Sequence, residues 1–404
     1  LKEAVESKAD VRYGWIPVAV KTNGDQVVGV EFQNSDGQLH QISCDFVLDA
    51  TETGDLLPLA EVDHVIGAES KSETGEPHAL DGPADRDCVQ GLTWCAAIGF
   101  DAGGDHRIEE PKEYKFWREH IPAGWPTSLL SYKMLDVRSG QQRDFPLFTE
   151  DPLDGFELFT YRQIVAPAFH SSPQEPATVM NWPMNDYWKK SILTGDAEAP
   201  LESSKQLTLS MLYWLQTEAP RFDGGNGYPE LRLRPNLSGT PDGLAMAPYI
   251  RESRRIKAML SVSETDVATE CFPNADRAPS FEDSVGIGAY RLDLHPRVTG
   301  QPTVDLSSLP FEIPLRSLVP VSAKNLLPAC KNIGVTHVAN GCYRLHPIEW
   351  NIGEAAATLA SACLNQNETP QEVASNPAIT RKVQSLLLDQ GVELHWPEVE
   401  LYAL

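Results

Sequence analysis

Apolar and polar residues alternate near the start of the chain in a pattern that predicts a small antiparallel sheet. Two strand-like segments, 11–20 and 27–32, are separated by Asn23-Gly24, a pair that favours the positive φ angles of a tight hairpin turn. Asp36-Gly37 supplies a second turn signal before the next apolar residues. We therefore expect a three-stranded meander in this part of the chain.

A short apolar strand is predicted directly after the meander, over residues 44–51. It ends in small residues, continues into Glu52-Thr53-Gly54-Asp55, and leads to a predicted helix start at 55–60. A nucleotide-binding α/β sheet places such a strand, loop and helix at the carboxyl edge of its strands. The spacing alone is a weak indication of this function.

Helical periodicity is found in the second half of the chain. It predicts a helix over 203–219, which stops before a proline, and a second helix from about 347 to 365. The second helix begins with proline and is rich in alanine, which permits close packing on a sheet. Two amphipathic stretches follow after Thr369. Residues 88–200 have poor periodicity and predict loops with short strands.

Composition limits the classes of protein to which the chain can belong. The 33 Lys and Arg against 57 Asp and Glu give a net charge of −24, which opposes general binding to nucleic acids or anionic membranes. No run of about 18 apolar residues occurs, so we expect a soluble protein without a membrane span. At 404 residues the chain is long enough for two or three domains.

The seven cysteines are widely spaced and form no C-x-x-C pair, so we expect buried free thiols and neither a disulfide framework nor a metal site. Cysteine usage favours a cytoplasmic location. Export stays open in this interpretation, because the printed sequence begins at Leu1 without an initiator methionine or a signal peptide. The cysteines are Cys44, Cys88, Cys95, Cys271, Cys330, Cys342 and Cys363.

Several segments in a fixed order carry a resemblance to a known family. They are Val47–Val62, Gly67–Pro77, Asn181–Tyr187, Ala247–Ile256, Asp283–Pro296 and Asn340–Pro347. Together they resemble FAD-dependent oxidoreductases of the glutathione-reductase-like flavoprotein superfamily, and within it a bacterial branch often labelled xanthan-lyase-like. The similarity extends from about residue 11 to about residue 395.

The resemblance implies an α/β (α+β) chain that uses FAD. Residues 1–66 would be the remainder of a Rossmann-like FAD-binding domain with its β-meander, and 67–310 an inserted, β-rich substrate or cap domain. Residues 311–366 would return to the FAD-binding domain, and 367–404 would form C-terminal packing helices. The implied reaction transfers a hydride to flavin from a small organic substrate, with a sugar-like molecule as the suggested class.

One expected motif is absent from the sequence. Flavoproteins of this kind open with a βαβ unit whose G-x-G-x-x-G loop lets the backbone approach the pyrophosphate, and the printed sequence contains no such loop. We therefore expect a truncated or split chain, in which a separate N-terminal piece carries the loop. The alternative is a flavin-free binding or assembly subunit that kept the fold.

The loop before the predicted helix at 347 is the main candidate for contact with the flavin ring. Backbone N–H groups at a helix N-terminus and a nearby cation, here Arg344, could stabilise the negative charge of reduced flavin at N1 and C2=O. A structural arginine is the alternative. With the resemblance, the predicted cofactor-binding residues are Ala50, Thr51, Gly54, Asp55, Asn332, Tyr343, Arg344 and Leu345.

Histidines are the candidates for proton transfer, because imidazole titrates near neutral pH. His346 ranks first for its place beside the implied ring and His295 second, with His337 also considered; each could instead be a buried structural histidine. Arg344 completes the predicted catalytic set.

Arg251 and Arg291 are predicted to bind substrate. Arg251 shares a short stretch with Arg254 and Arg255, and helical spacing would place the three side by side to grip an anion. An ion-pair cluster that includes Glu252 is the favoured alternative.

Overall fold

The structure is a computed structural model that describes residues 2–122, 125–136, 141–151, 155–172 and 174–397. Helices and strands alternate along this part of the chain, which confirms the predicted mixed α/β class. Packing divides the chain into two compact units. Unit 1 comprises Leu1–Asp85, Glu252–Leu292 and Leu306–Leu404, and unit 2 comprises Arg86–Arg251 and Asp293–Asp305.

The described residues form twelve α-helices. They are α1 (Lys2–Glu6), α2 (Leu56–Leu59), α3 (Lys71–Thr74), α4 (Tyr114–Glu119), α5 (Leu158–Tyr161), α6 (Glu198–Thr217), α7 (Pro235–Ser238), α8 (Glu264–Val267), α9 (His337–Tyr343), α10 (His346–Gln366), α11 (Pro370–Ser375) and α12 (Pro377–Asp389). None of these helices is both long enough and apolar enough to cross a membrane.

Besides four short 3₁₀ helices, the described residues also form nineteen strands. They are β1 (Trp15–Asn23), β2 (Gln26–Asn34), β3 (Leu39–Ser43), β4 (Val47–Asp49), β5 (His64–Val65), β6 (Leu92–Thr93), β7 (Ala96–Phe100), β8 (Lys133–Leu135), β9 (Gln142–Asp144), β10 (Gln163–Val165), β11 (Ala177–Met180), β12 (Asp186–Tyr187), β13 (Leu231–Leu233), β14 (Arg255–Ile256), β15 (Ser284–Gly288), β16 (Leu292–Leu294), β17 (Val304–Leu306), β18 (Phe311–Pro314) and β19 (Leu326–Pro328).

The predicted meander is present in unit 1 as the antiparallel sheet β1-β2-β3. Asn23 pairs with Gln26 across the first turn, and Gly24 has φ +62°, as the turn signal predicted. The first strand begins at Trp15 and not at Val11, because a turn with Gly14 at φ +74° precedes it.

Two short parallel strands, β4 and β19, bring distant parts of unit 1 together. Leu326 pairs with Val47 and Pro328 with Asp49. Both leucines of β19 are fully buried, so this strand is anchored in the core. Because the strands are parallel, the loops that follow them leave at the same edge.

The predicted alanine-rich helix is α10, which packs against β15 and β19. A Cβ atom on Gly288 of β15 would lie only 3.0 Å from Ile348 Cγ1, so glycine allows the helix to approach the strand closely. The helices α11 and α12 pack beside α10, in agreement with the two amphipathic stretches predicted after Thr369.

Unit 2 is built on the antiparallel sheet β10-β11-β7-β13, with α6 beside it. Trp214 of α6 is buried and makes an edge contact with Tyr132, with ring centroids 5.1 Å apart. The helix starts earlier than the predicted residue 203, since Asp196 accepts the Glu198 N–H and a proline is tolerated in the first turn.

Candidate functional site

Asp49 organises the loop after β4. Its buried Oδ1 accepts hydrogen bonds from the backbone N–H and the hydroxyl of Thr51, at 3.0 and 2.6 Å, and its Oδ2 accepts from the N–H of Leu56 at 3.2 Å. Burial raises the pKa of this carboxyl, although the hydrogen bonds oppose the shift. Asp49 therefore fixes the backbone of the loop that the sequence assigned to cofactor binding.

The predicted cofactor-binding residues of this loop lie together at the edge of the sheet. Ala50 is exposed, and Thr51 Oγ1 accepts the Asp55 N–H at 2.7 Å. Gly54 has φ +64°, and a Cβ there would lie 3.0 Å from the carbonyl oxygen of Arg254. The Arg254 guanidinium in turn contacts Asp55 at 3.3 Å. Contacts with Asp49 and with Arg254 thus hold the loop in place.

Asn332 joins the loop after β19 to β4. Its buried Nδ2 donates to the carbonyl oxygen of Asp49 at 2.9 Å, and its Oδ1 accepts the Cys330 N–H at 3.2 Å. Both polar groups of this predicted cofactor-binding side chain therefore have protein partners. Asn332 holds the two loops in register at the edge where the predicted site lies.

Lys331 is a residue of this edge that the sequence analysis missed. Its buried Nζ lies 2.5 Å from Glu52 Oε2 and 3.3 Å from Glu349 Oε1. Burial alone would lower the pKa of Lys331, but Glu349 and Glu52 hold it above its ordinary value. The ammonium group thus connects the loop after β4 to the first turn of α10. A single lysine between Cys330 and Asn332 gave no signal of this role.

The loop between α9 and α10 contains the predicted flavin contacts Tyr343, Arg344 and Leu345. Arg344 is 3 % exposed and follows the last residue of α9. Leu345 occupies the cap position of α10, a helix of 21 residues, and His346 is its exposed first residue. Tyr343 is buried and donates from its hydroxyl to the Glu312 carbonyl oxygen at 2.6 Å. A buried cationic residue therefore lies two positions before the first residue of a long helix.

Four charged or titratable side chains form a buried network in unit 1. Arg255 donates to Glu252 Oε1 and to Glu69 Oε1, each at 2.8 Å. His337 Nδ1 lies 2.8 Å from Glu252 Oε1, and the His337 N–H donates to Glu69 Oε2 at 2.9 Å. His337 Nε2 is buried and has no hydrogen-bond partner among the described residues. Of this network, the sequence analysis had singled out His337, Glu252 and, in the arginine cluster, Arg255, but not Glu69.

Glu76 is a second buried carboxyl of unit 1, next to this network. Its Oε1 accepts the Thr336 hydroxyl at 2.6 Å and the Glu264 N–H at 2.7 Å. Burial raises the pKa of Glu76 above its ordinary value, against the opposing effect of these hydrogen bonds. The folded protein therefore retains this proton to a higher pH than the unfolded chain does.

We expect Glu76→Gln to stabilise the protein at neutral pH relative to wild type, with the gain disappearing in acid. An acid with a raised pKa binds more protons when folded, so its contribution to stability falls as pH rises above the unfolded-state value of about 4.3. Glutamine keeps an oxygen acceptor in the place of Oε1 and removes the titratable carboxyl group. Urea unfolding between pH 4 and pH 8 measures this, with Glu270→Gln on the surface as the control. A difference that does not depend on pH would contradict the prediction.

Unit 2 contains a separate cluster around Asp186, which is fully buried. Arg251 Nη2 lies 3.1 Å from Asp186 Oδ1, and the Thr93 hydroxyl donates to the same oxygen. His295 Nδ1 lies 2.5 Å from Asp186 Oδ2. The predicted residues Arg251 and His295 thus meet at one carboxylate that the sequence analysis did not single out.

The other predicted substrate-binding residue, Arg291, lies in unit 1. It is partly exposed, and its Nη1 donates to Ser307 Oγ at 3.1 Å. Arg251 differs, because its buried guanidinium also donates to the carbonyl oxygen of Gly91 at 2.9 Å. Both assignments stay predictions.

None of the seven cysteines forms a disulfide, and all of them lie within the described residues. Within those same residues, no group of three or more His, Cys, Asp or Glu side chains could hold a metal ion.

The family model described as "FAD dependent oxidoreductase" matches residues 1–387. No curated protein and no solved structure matches the chain.

Proposed function

Because this chain belongs to the family of FAD dependent oxidoreductases, we propose that unit 1 binds part of an FAD molecule and that the protein oxidises a small organic substrate. FAD is the cofactor of the family, and when bound it supplies a hydride acceptor at flavin N5. The xanthan-lyase-like branch and a sugar-like substrate are the finer parts of the proposal. They rest on the motifs of the sequence.

The residues of the loop between α9 and α10 fit a flavin ring. A buried guanidinium, Arg344, precedes the N-terminus of α10, and this end of a helix carries partial positive charge. Leu345 at the cap position offers no side-chain acceptor, and the acidic residue of the first turn, Glu349, is paired with Lys331. Positive charge from two sources suits a group that becomes negative on reduction. This placement of Arg344 is the observation that carries the proposal.

The loop after β4 fits a more distal part of the same cofactor. Ala50, Thr51, Gly54 and Asp55 lie at the carboxyl edge of the parallel pair β4 and β19, where α/β sheets bind nucleotides. Asp49 and Asn332 fix the backbone of this edge, as described above. In the proposal these residues position the cofactor and take no part in the chemical step.

Proton transfer is assigned to histidine. His346 is exposed at the first position of α10, so its imidazole can exchange protons with solvent. His295, in unit 2, is held by Asp186 and is the second candidate. Arg291 is partly exposed and could bind an anionic group of a substrate. Arg251 is buried against Asp186, so in the proposal it supports the substrate region through that carboxylate.

The outer edge of β4 is where we propose that a protein partner binds. The backbone groups of Val47 and Asp49 bond toward β19, with Val47 N–H on the Asn325 carbonyl oxygen and Ala329 N–H on that of Asp49, each at 2.9 Å. Those of Leu48 therefore point to the opposite edge, where no described strand pairs with β4. An open edge is a template for another strand. We infer that a piece carrying the G-x-G-x-x-G loop adds a strand here.

The absorption spectrum of the purified protein tests the proposed function. We expect oxidised-flavin bands and the release of FAD on denaturation, either from the chain as isolated or after addition of FAD together with the G-x-G-x-x-G piece. A gel-filtration run of FAD without protein gives the background absorption to subtract. A protein that stays colourless under all these conditions would overturn the proposal and favour the flavin-free binding or assembly subunit.

A further inference from the structure

Asp186 in unit 2 accepts hydrogen bonds on both carboxylate oxygens without any exposure to solvent. Arg251 and Thr93 approach Oδ1, and His295 Nδ1 approaches Oδ2 at 2.5 Å. Arg251 Nη1 also donates to the Thr93 hydroxyl at 2.8 Å, which orients that hydroxyl to donate to Asp186. The carboxylate is therefore surrounded by donors whose directions are fixed by other contacts.

These donors keep Asp186 ionised. Burial by itself would raise the pKa of Asp186, but Arg251, His295 and Thr93 together hold it below its ordinary value. An ionised carboxylate can only accept hydrogen bonds. The proton that lies between Asp186 and His295 is therefore carried by Nδ1 of the imidazole.

A proton on Nδ1 decides which nitrogen of His295 is chemically available. In the neutral ring the other nitrogen, Nε2, then holds the lone pair. The His295 side chain is 19 % exposed, so the ring is not sealed in the core. Asp293 Oδ2 lies 3.4 Å from Nε2, and the His295 backbone N–H donates to Gln90 Oε1 at 3.2 Å. Asp186 and Asp293 are thus the charged groups that face the imidazole, with Arg251 behind Asp186.

We propose that Asp186 is a positioning residue that fixes the Nδ1–H tautomer of His295, so that Nε2 accepts the proton of a substrate hydroxyl. The inference rests on the proposed oxidase or dehydrogenase chemistry. In this role Nε2 would take the O–H proton, and FAD, when bound, would supply the acceptor for the C–H hydride with its electron pair, so that the carbon–oxygen bond becomes a carbonyl. The substrate class is therefore an alcohol, and His295 ranks above His346 as the base.

Asp186→Asn tests the role of the carboxylate with little change of shape. Because Arg251 and Thr93 donate to Oδ1, the amide oxygen of the variant stays on their side and its NH₂ group faces His295. The imidazole must then accept at Nδ1 and carry its proton on Nε2. In serine proteases, the same carboxylate-to-amide change beside the catalytic histidine lowers activity because it stabilises the wrong tautomer of the imidazole.

The first readout is the tautomer itself, measured by long-range ¹H–¹⁵N correlation on protein labelled at its ten histidines. His295→Gln assigns the signal. We expect neutral His295 to be the Nδ1–H tautomer in wild type and in Asp293→Asn, and the Nε2–H tautomer in Asp186→Asn. The wild-type tautomer needs only His295→Gln for its assignment, so the test holds even if Asp186→Asn does not fold.

The second readout is turnover with FAD bound and an alcohol substrate. Loss of general-base catalysis predicts a fall in kcat of about 10²–10⁴-fold in Asp186→Asn, with little change in KM. An Nε2–H tautomer in wild type, or an Asp186→Asn variant that keeps the wild-type tautomer and kcat, would overturn the inference. A colourless protein with the expected tautomers would overturn the proposed function alone, because the NMR readout does not require flavin.

Discussion

Replacing Arg255 with methionine is expected to lower the free energy of unfolding by about 3–5 kcal/mol, the usual cost of removing one partner from a buried ion pair. Arg255 is 1 % exposed and contacts two carboxylates, Glu252 and Glu69, at 2.8 Å each. It also donates to the carbonyl oxygen of Gly67 at 2.6 Å. Methionine fills a similar volume but leaves both carboxylates without their cation. The expected loss of stability is therefore electrostatic in origin and does not come from a packing defect.

Two further variants separate these explanations. Arg12→Met, at an exposed ion pair with Asp10, should leave the stability almost unchanged, since surface pairs contribute little. Adding Glu252→Gln to Arg255→Met should recover part of the loss, because it removes one of the uncompensated charges. Denaturant unfolding followed by circular dichroism measures all three. A loss below about 1 kcal/mol in Arg255→Met would show that the network does not depend on its cation.

Replacing Arg344 with methionine is expected to lower the reduction potential of the bound flavin. The buried guanidinium before α10 stabilises negative charge, and reduction places that charge on the ring. A charged hydrogen bond contributes about 1.5–3 kcal/mol. For a two-electron couple this corresponds to roughly 30–60 mV, at about 30 mV for each 1.4 kcal/mol.

Equilibration with redox dyes measures this potential in the complete, flavin-loaded protein. Arg344→Lys is the matched control, because it keeps the charge and loses only the guanidinium geometry; its potential should stay close to that of wild type. An unchanged or higher potential in Arg344→Met would mean that Arg344 has the structural role left open by the sequence. The loss of Arg344 should weaken the binding of oxidised FAD less than it weakens the binding of reduced FAD.

Elements with strong local signals could be predicted from the sequence. The Asn23-Gly24 turn defines the β1-β2 hairpin, and a proline start with an alanine-rich face defines α10. The run around Arg251, Arg254 and Arg255 shows the limit of such signals. Helical spacing would have placed these arginines side by side, but Arg255 lies in strand β14. Its pairing with Glu252 agrees with the ion-pair alternative.

The rest of the candidate site depends on contacts that are distant in sequence. Arg255 meets Glu69 across 186 positions, and His295 meets Asp186 across 109. Nothing in the residues around Asp186 or Lys331 marks them as partners of a histidine or of a helix terminus. Such pairs arise only when the chain has folded, so local patterns could name His295 and Arg344 but not the residues that position them.

The aromatic core of unit 2 makes the two units optically distinguishable. Six of the nine tryptophans, including the buried Trp94, Trp117, Trp182 and Trp214, belong to unit 2. In unit 1, Trp350 is 55 % exposed. Intrinsic fluorescence therefore reports mainly on unit 2, while ellipticity reports on both units, through α6 in unit 2 and α10 in unit 1. Melting curves from the two signals should diverge wherever a variant weakens one unit and spares the other.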